Sequence, residues 1–112
     1  MGFVSRPRLG KYNSKSAVYK GHLYHSLKEA RYACELDIRV RAGELKDWRR
    51  QVHIPLKIGP VKICTYIVDF VEVFPDGHER YVEIKGYETP EWRLKWKLFD
   101  ALHPKIDKQV VK

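Results

Sequence analysis

A strand–turn–strand pattern in the second half of the chain constrains the fold more than any other feature. Residues 66–86 read YIVDFVEVFPDGHERYVEIKG, in which two apolar, β-branched runs flank the sequence Pro-Asp-Gly. Proline suits the start of a type I turn, and glycine suits the left-handed position of the bulge that follows it. The pattern therefore predicts a β-hairpin with a three-residue loop at residues 75–77.

The loop length fixes which residues face each other across this hairpin. If Phe74 pairs with His78, Asp69 lies opposite Glu83. Ile67 then lies opposite Lys85, which is two residues after Glu83. Because side chains alternate between the two faces of a strand, Asp69, Glu83 and Lys85 are expected on one face. The other face is then expected to carry the apolar residues Val68, Phe70, Val82 and Ile84.

Two carboxylates that face each other across a pair of strands need compensation. Directly opposed β-carbons lie about 4.5–5.5 Å apart, and like charges at that distance destabilise the pairing. A divalent cation would compensate, because Mg²⁺ takes oxygen ligands and commonly uses one or two carboxylates together with substrate phosphate oxygens. The alternative is an ordinary surface network in which Lys85 neutralises its acidic neighbours. The hairpin alone leaves both interpretations open.

Helix and strand signals predict the element order α-β-β-β-α-β. Ser26 and Glu29 form a capping box before a helix predicted over residues 27–42, and Thr89 caps a second helix over residues 90–102. Pro55 restricts the first strand to an edge or a bulge. The strands are predicted over residues 51–58, 61–74, 79–85 and 105–111. If the last strand lies parallel to its neighbour, the fold is α/β with a mixed central sheet flanked by helices.

Glu29 has two candidate roles. Its carboxylate can bond back to the backbone N–H of Ser26 in the capping box. It also lies in the first turn of a helix expected to pack on the sheet, where it could reach Asp69 and Glu83.

The second predicted helix, PEWRLKWKLFDAL, carries three different stripes. Its core face is expected at Leu94, Leu98, Ala101 and Leu102. Arg93 and Lys97 form a basic line. The aromatic stripe Trp92, Trp96 and Phe99 is more typical of a core or a subunit interface than of a platform that stacks on bases.

Charge points to a polyanionic partner. The 112 residues carry a net charge of +8, which favours nucleic acid over other partners. Residues 1–20 have the composition of a mobile basic arm, and residues 21–112 are expected to form a single domain. The sequence shows no signal peptide and no membrane span, and Cys34 and Cys64 lack zinc-site spacing, so a cytoplasmic protein is expected.

The pattern Asp69-x13-Glu83-Ile84-Lys85, after a helix bearing Glu29, resembles the PD-(D/E)XK nuclease superfamily. The predicted element order is also that superfamily's common core, the restriction-endonuclease-like fold. The segments KYNSK, HSLKEARYACEL and YIVDFVEV…YVEIKGYETPEWRLKWKLF resemble small, phage-encoded members, and the resemblance covers nearly the whole chain. Val68 departs from the superfamily, which often has proline before the aspartate.

This resemblance implies a metal-dependent nuclease. Asp69 and Glu83 would bind Mg²⁺ or Mn²⁺, the backbone carbonyl of Ile84 is a further candidate ligand, and Lys85 would assist the hydrolytic water. Glu29 matches the acidic residue that many members carry on the first helix, which makes it a candidate catalytic residue and ligand. The implied reaction is hydrolysis of a phosphodiester by a metal-activated water, with no covalent protein nucleophile.

A set of basic and aromatic residues is expected to contact DNA. Contacts to phosphate backbones give salt-sensitive binding with little sequence readout, which favours a structure-selective enzyme. Archaeal-type Holliday-junction resolvases are similar in size and basic character and work as dimers, so a branched DNA substrate and a homodimer are expected, in a host cytoplasm if the chain is phage-encoded. The alternatives are a nicking or end-processing nuclease on other DNA, or a non-catalytic DNA-binding module. The expected DNA contacts are Arg6, Arg8, Lys11, Lys15, Tyr87, Arg93, Lys95 and Lys97.

Overall fold

A computed structural model describes residues 4–7 and 15–112, with side chains from residue 16 onward. These residues form a mixed α/β structure of two sheets and two helices, and the chain divides into two compact units after Leu45. In chain order the elements are β1 (Val4–Pro7), β2 (Lys15–Tyr19), β3 (His22–Tyr24), α1 (Leu27–Arg41), β4 (Asp47–Ile58), β5 (Val61–Val73), β6 (Glu79–Ile84), α2 (Pro90–Leu102) and β7 (Asp107–Val111). Neither helix has the length and apolar character that a membrane crossing needs.

The first unit packs α1 against an antiparallel sheet in the order β1-β2-β3. The predicted start of α1 is confirmed, because the Glu29 N–H donates to the Ser26 hydroxyl at 3.1 Å. It ends at Arg41, one residue before the predicted end, and Gly43 follows with a φ of 82°, the left-handed conformation that glycine adopts without strain. Local capping chemistry therefore determines both ends of this helix.

The three strands of the first unit were not predicted from the sequence. Residues 15–19 form β2, and its Ala17 and Tyr19 are buried, so this part of the predicted basic arm is a strand of the sheet. The missed signal is the pair Lys20 and Gly21, whose φ values of 50° and 82° are those of a two-residue hairpin turn. The predicted DNA contacts in this region fall on Arg8 and Lys11, which lie outside the described residues, and on Arg6 and Lys15, of which the backbone alone is described.

The second unit is a four-stranded sheet in the order β4-β5-β6-β7 with α2 packed on it. β7 runs parallel to β6 and the other pairs are antiparallel, which confirms the mixed sheet. β4 lies at the edge, as Pro55 predicted, and its pairing with β5 shifts between Leu56 and Lys57. α2 begins after Thr89, whose hydroxyl accepts from the Trp92 N–H at 3.1 Å.

The face of α2 that packs on the sheet is the aromatic one. Phe99 is fully buried, and Trp92 and Trp96 pack with it against the cluster that contains Tyr66 and Val68. The predicted core face is wrong at Leu94, which is 69% exposed, and at Ala101, which is also exposed. Both stripes have helical spacing, but large rings bury more apolar surface per residue, so the aromatic stripe faces the sheet.

Candidate metal and catalytic site

The hairpin of β5 and β6 has the register that its loop predicts. The Phe74 N–H donates to the His78 carbonyl at 2.9 Å, and Gly77 has a φ of 94°. Val71 pairs with Tyr81, as expected. The turn chemistry alone therefore sets which residues of the two strands approach each other.

Asp69 lies where the ladders on both sides of β5 are interrupted. The β5–β6 pairs end at Phe70, and beyond them Oδ2 of Asp69 accepts a hydrogen bond from the Ile84 N–H at 2.9 Å. On the β4 side, Gln51 has a φ of 52°. The β4–β5 ladder pairs Arg50 and Val52 with β5 but has no pair at Gln51. The Asp69 carboxylate thus takes a place that a backbone carbonyl holds in a regular sheet.

The predicted alternation of side chains is wrong in this stretch. Val68 and Val71 are three residues apart and belong to one buried cluster, whereas a regular strand would place them on opposite faces. Glu83 was predicted to lie on the face opposite Val68. Its carboxylate instead accepts a hydrogen bond from Tyr66, which belongs to the same buried cluster as Val68. The change of face coincides with the interruption beside Asp69, and irregularities of this kind re-aim side chains.

Asp69 and Glu83 nevertheless form a buried pair. Their side chains belong to residues that are 9% and 5% exposed. Burial first, and then the charge of Asp69, raise the pKa of Glu83 to about 8, against the opposing effects of Tyr66 and Lys85. A side-chain hydrogen bond with Asp69 also raises the pKa of Glu83. The structure therefore brings the two predicted metal ligands into contact, with Glu83 largely protonated at neutral pH.

Tyr66 connects this pair to α2, and sequence reasoning missed it. Its hydroxyl donates to Oε1 of Glu83 at 2.7 Å and accepts from the indole N–H of Trp92 at 3.1 Å. Burial and the charge of Glu83 raise the pKa of Tyr66, so the hydroxyl keeps its proton. A tyrosine within an apolar strand is the one available signal, since a buried hydroxyl needs a partner.

Lys85, the residue directly after β6, completes the group. Its ammonium nitrogen lies 3.9 Å from Oε2 of Glu83 and 5.0 Å from the ring centroid of Trp92. Its backbone N–H donates to the Val111 carbonyl at 2.8 Å, so β7 holds this end of β6. A cation fixed beside the pair can stabilise negative charge on a bound phosphate.

A cavity of about 310 Å³ opens beside this group. Glu83 and Lys85 line it from the sheet, and Trp92 and Lys95 line it from α2. Lys95 also approaches Glu91 at 3.4 Å, one helical turn before it. The cavity thus places two lysines and two carboxylates, those of Glu83 and Glu91, around a single space.

The remaining predicted residues are Glu29 in the first unit and Tyr87, Arg93 and Lys97 in the second. Glu29 is buried on α1 in the first unit, and its contribution to the pair stays a prediction. Tyr87 is exposed just after β6. Arg93 and Lys97 are exposed on α2, and Arg93 approaches Glu88 at 3.5 Å.

Two carboxylates are the kind of ligand that Mg²⁺ takes in proteins. Among residues 15–112 and the backbone at 4–7, no group of three or more His, Cys, Asp or Glu side chains is placed to hold a metal ion. Zinc sites need three or four such ligands, whereas Mg²⁺ is commonly bound by one or two carboxylates, waters and substrate phosphates. Two buried carboxylates in contact have the chemistry of the second kind of site.

Comparison with protein families places the chain in one of them. Residues 9–112 match the family model described as "Protein of unknown function (DUF1064)". The chain belongs to the DUF1064 family. No significant match was found among curated proteins or among solved structures. The DUF1064 match covers the first unit from residue 9 onward, the whole of the second unit and every residue of the candidate site.

Proposed function

We propose that this DUF1064 chain is a Mg²⁺- or Mn²⁺-dependent DNA endonuclease. Its active site, in which phosphodiester bonds are hydrolysed, would be formed around Asp69 and Glu83. The observation that carries the proposal is the contact between these two buried carboxylates, with Lys85 beside them. In the metal-free protein the proton held on Glu83 relieves the repulsion between the two carboxylates, and a divalent cation that displaces this proton would neutralise both carboxylates at once. A protein without a use for the pair would be more stable with apolar side chains there.

The order of elements supports a restriction-endonuclease-like core. α1, the antiparallel strands β4, β5 and β6, α2 and the parallel strand β7 follow one another as in the superfamily that the sequence resembles. In that core the acidic pair and the lysine lie on the second and third strands. Asp69 on β5, Glu83 on β6 and Lys85 directly after the end of β6 are close to this placement.

Each residue of the site has a distinct role in the proposed reaction. Asp69 and Glu83 would hold the cation, with the Ile84 carbonyl as a further ligand, and Tyr66 would hold Glu83 in place through its hydroxyl. When bound, the cation supplies polarisation of the phosphate and activation of water. The water oxygen bonds to phosphorus, the bond from phosphorus to the leaving oxygen breaks, and the water loses a proton as the leaving oxygen gains one from solvent. Lys85 would stabilise the charge that builds up on the phosphate.

Branched DNA is the proposed substrate, with a four-way Holliday junction as the leading case. The net charge of +8 and the exposed Arg93 and Lys97 favour contacts to phosphate backbones, which recognise shape rather than sequence. A junction must be cut on two strands, so the working form is proposed to be a homodimer. A nicking or end-processing nuclease and a non-catalytic DNA-binding module are the competing functions.

A cleavage assay on three substrates tests these functions together. A labelled four-way junction, a linear duplex of the same sequence and the matching single strand are incubated with Mg²⁺ or Mn²⁺ and, in parallel, with EDTA. The junction is expected to be cut fastest, and EDTA is expected to abolish the reaction. Equal cutting of the duplex or the single strand would support the nicking or end-processing nuclease. Binding without cutting of any substrate would contradict the nuclease proposal and support the binding module.

A further inference from the structure

The tip of the β4–β5 hairpin exposes apolar side chains. β6 pairs with residues 70–73 of β5, which leaves the tip half of this hairpin outside that ladder. Ile58 and Val61 form the last pair before the turn and are each 57% exposed, and Ile63 is 52% exposed. Contiguous exposed apolar residues of this kind mark surfaces that bind a partner.

The same tip carries a like-charged pair. Lys57 and Lys62 are exposed and directly opposed in the β4–β5 register. Like charges in opposed positions destabilise a pair of strands. Residues 48–68 contain four lysines and arginines but no aspartate or glutamate, so no acidic residue in this part of the hairpin offsets them. A polyanion bound at the tip would remove this repulsion.

We propose that the hairpin tip is a second nucleic-acid contact, in which Lys57 and Lys62 bind backbone phosphates and Ile58 and Val61 pack against bases. Apolar side chains, including isoleucine and proline, insert between base steps in other DNA-binding proteins, and Pro60 stands in the turn itself. Bases at a branch point are already partly unstacked, so insertion there costs less. The inference rests on the proposed function for the identity of the polymer as DNA.

The position of the tip on β5 sets where it meets the DNA. Lys62 and Asp69 are seven residues apart on the same strand, which at about 3.3 Å per residue corresponds to roughly 23 Å. Duplex DNA rises about 3.4 Å per base pair, so the tip is expected about seven base pairs from the cleaved bond. One rigid strand would thus link cleavage to a fixed distance from the branch.

Charge argues against the two other occupants of such a tip. A second copy of the chain would bring two lysine pairs together, which repel each other. An anionic membrane gains only about 1 kcal/mol per basic residue near its surface, and the tip offers two lysines. DNA supplies phosphates and apolar base faces together, which matches both kinds of side chain at the tip.

The test measures binding in EDTA, where cleavage plays no part. Fluorescence anisotropy of a labelled four-way junction, with arms of about 15 base pairs so that a contact seven base pairs away is included, is recorded over a salt series. The double variant Lys57→Gln/Lys62→Gln is expected to lower the affinity about tenfold at moderate salt and to reduce the slope of log K against log salt by about two. The variant Ile58→Ser/Val61→Ser is expected to lower the affinity with the slope unchanged.

The matched control is Lys46→Gln/Lys105→Gln. It removes the same charge from exposed positions, with Lys46 beside the far end of the hairpin, and is expected to keep the parental slope. Parental affinity and slope in both hairpin variants would overturn the inference. The inference would also be overturned if Ile58→Ser/Val61→Ser converted a dimer to a monomer and left DNA binding intact. It would likewise be overturned if the hairpin variants lost binding to phosphatidylserine vesicles but kept their binding to DNA. A parent that binds the junction through the tip but never cuts it would refute the nuclease proposal and leave this inference standing.

Discussion

Replacing Glu83 with alanine is expected to reduce Mg²⁺-dependent cleavage by about 10³-fold or more, because a metal ligand contributes several kcal/mol of transition-state stabilisation. Glu83 is the better target of the pair, since the Asp69 carboxylate also accepts the Ile84 N–H and its removal would disturb the backbone of β6. The rate is measured under single-turnover conditions with labelled junction. Binding of the junction in EDTA is expected to stay near the parental value.

Glu79 provides the matched control for this loss. It is a glutamate on the same strand, partly exposed, and its Oε2 forms an ion pair with Arg49 at 2.9 Å. An ion pair of this exposure contributes little to stability, so Glu79→Ala is expected to cut at nearly the parental rate. If Glu83→Ala cuts as fast as Glu79→Ala, Glu83 is not a ligand and the proposed site is wrong.

The second large effect concerns stability in the absence of metal. The pKa of Glu83 is raised to about 8 by burial and by the charge of Asp69, above its ordinary value of 4.5. Between these two values the folded state holds a proton that the unfolded state has lost, so the free energy of unfolding falls as the pH rises. The contribution is fully present below about pH 4.5 and is lost as the pH passes about 8.

The variant Glu83→Gln isolates this effect. Glutamine cannot ionise, so the variant is expected to lose the decline of stability across this pH window. At the alkaline end it should exceed the parent by on the order of 5 kcal/mol, since the pKa of Glu83 rises from 4.5 to about 8 and each pKa unit corresponds to about 1.4 kcal/mol. Urea unfolding in EDTA at several pH values measures the difference, with Glu79→Gln as the control that keeps the parental slope. A parental slope in Glu83→Gln would mean that Glu83 is ionised at neutral pH in the folded protein.

Local signals in the sequence predict those parts of the fold that local chemistry determines. The hydroxyls of Ser26 and Thr89 cap the two helices where the sequence places them. Gly77 sets the β5–β6 register, and because the turn residues predict that register, Asp69 and Glu83 can be recognised as neighbours from the sequence alone. Each of these features depends on residues close together in the chain.

The features that the sequence did not reveal depend on residues far apart in the chain. The hydroxyl of Tyr66 reaches Glu83 and Trp92 only after β5, β6 and α2 have packed together. The positive φ at Gln51 could not be predicted, because the residue is not a glycine. The interruption there nevertheless changes the faces that Val68 and its neighbours occupy. Two stripes of α2 had equal periodicity, and the stripe of larger aromatic rings packs on the sheet, which leaves Leu94 exposed to solvent.

Metal binding by Asp69 and Glu83 is the claim on which the proposed function depends, and isothermal titration with Mn²⁺ near pH 7 measures it directly. The parent is expected to bind saturably and to release protons, because the cation displaces the proton held on Glu83. Glu83→Gln is expected to lose this binding, and Glu79→Gln is expected to retain it. Equal Mn²⁺ affinity in the parent and in Glu83→Gln, or no binding by the parent, would contradict the claim.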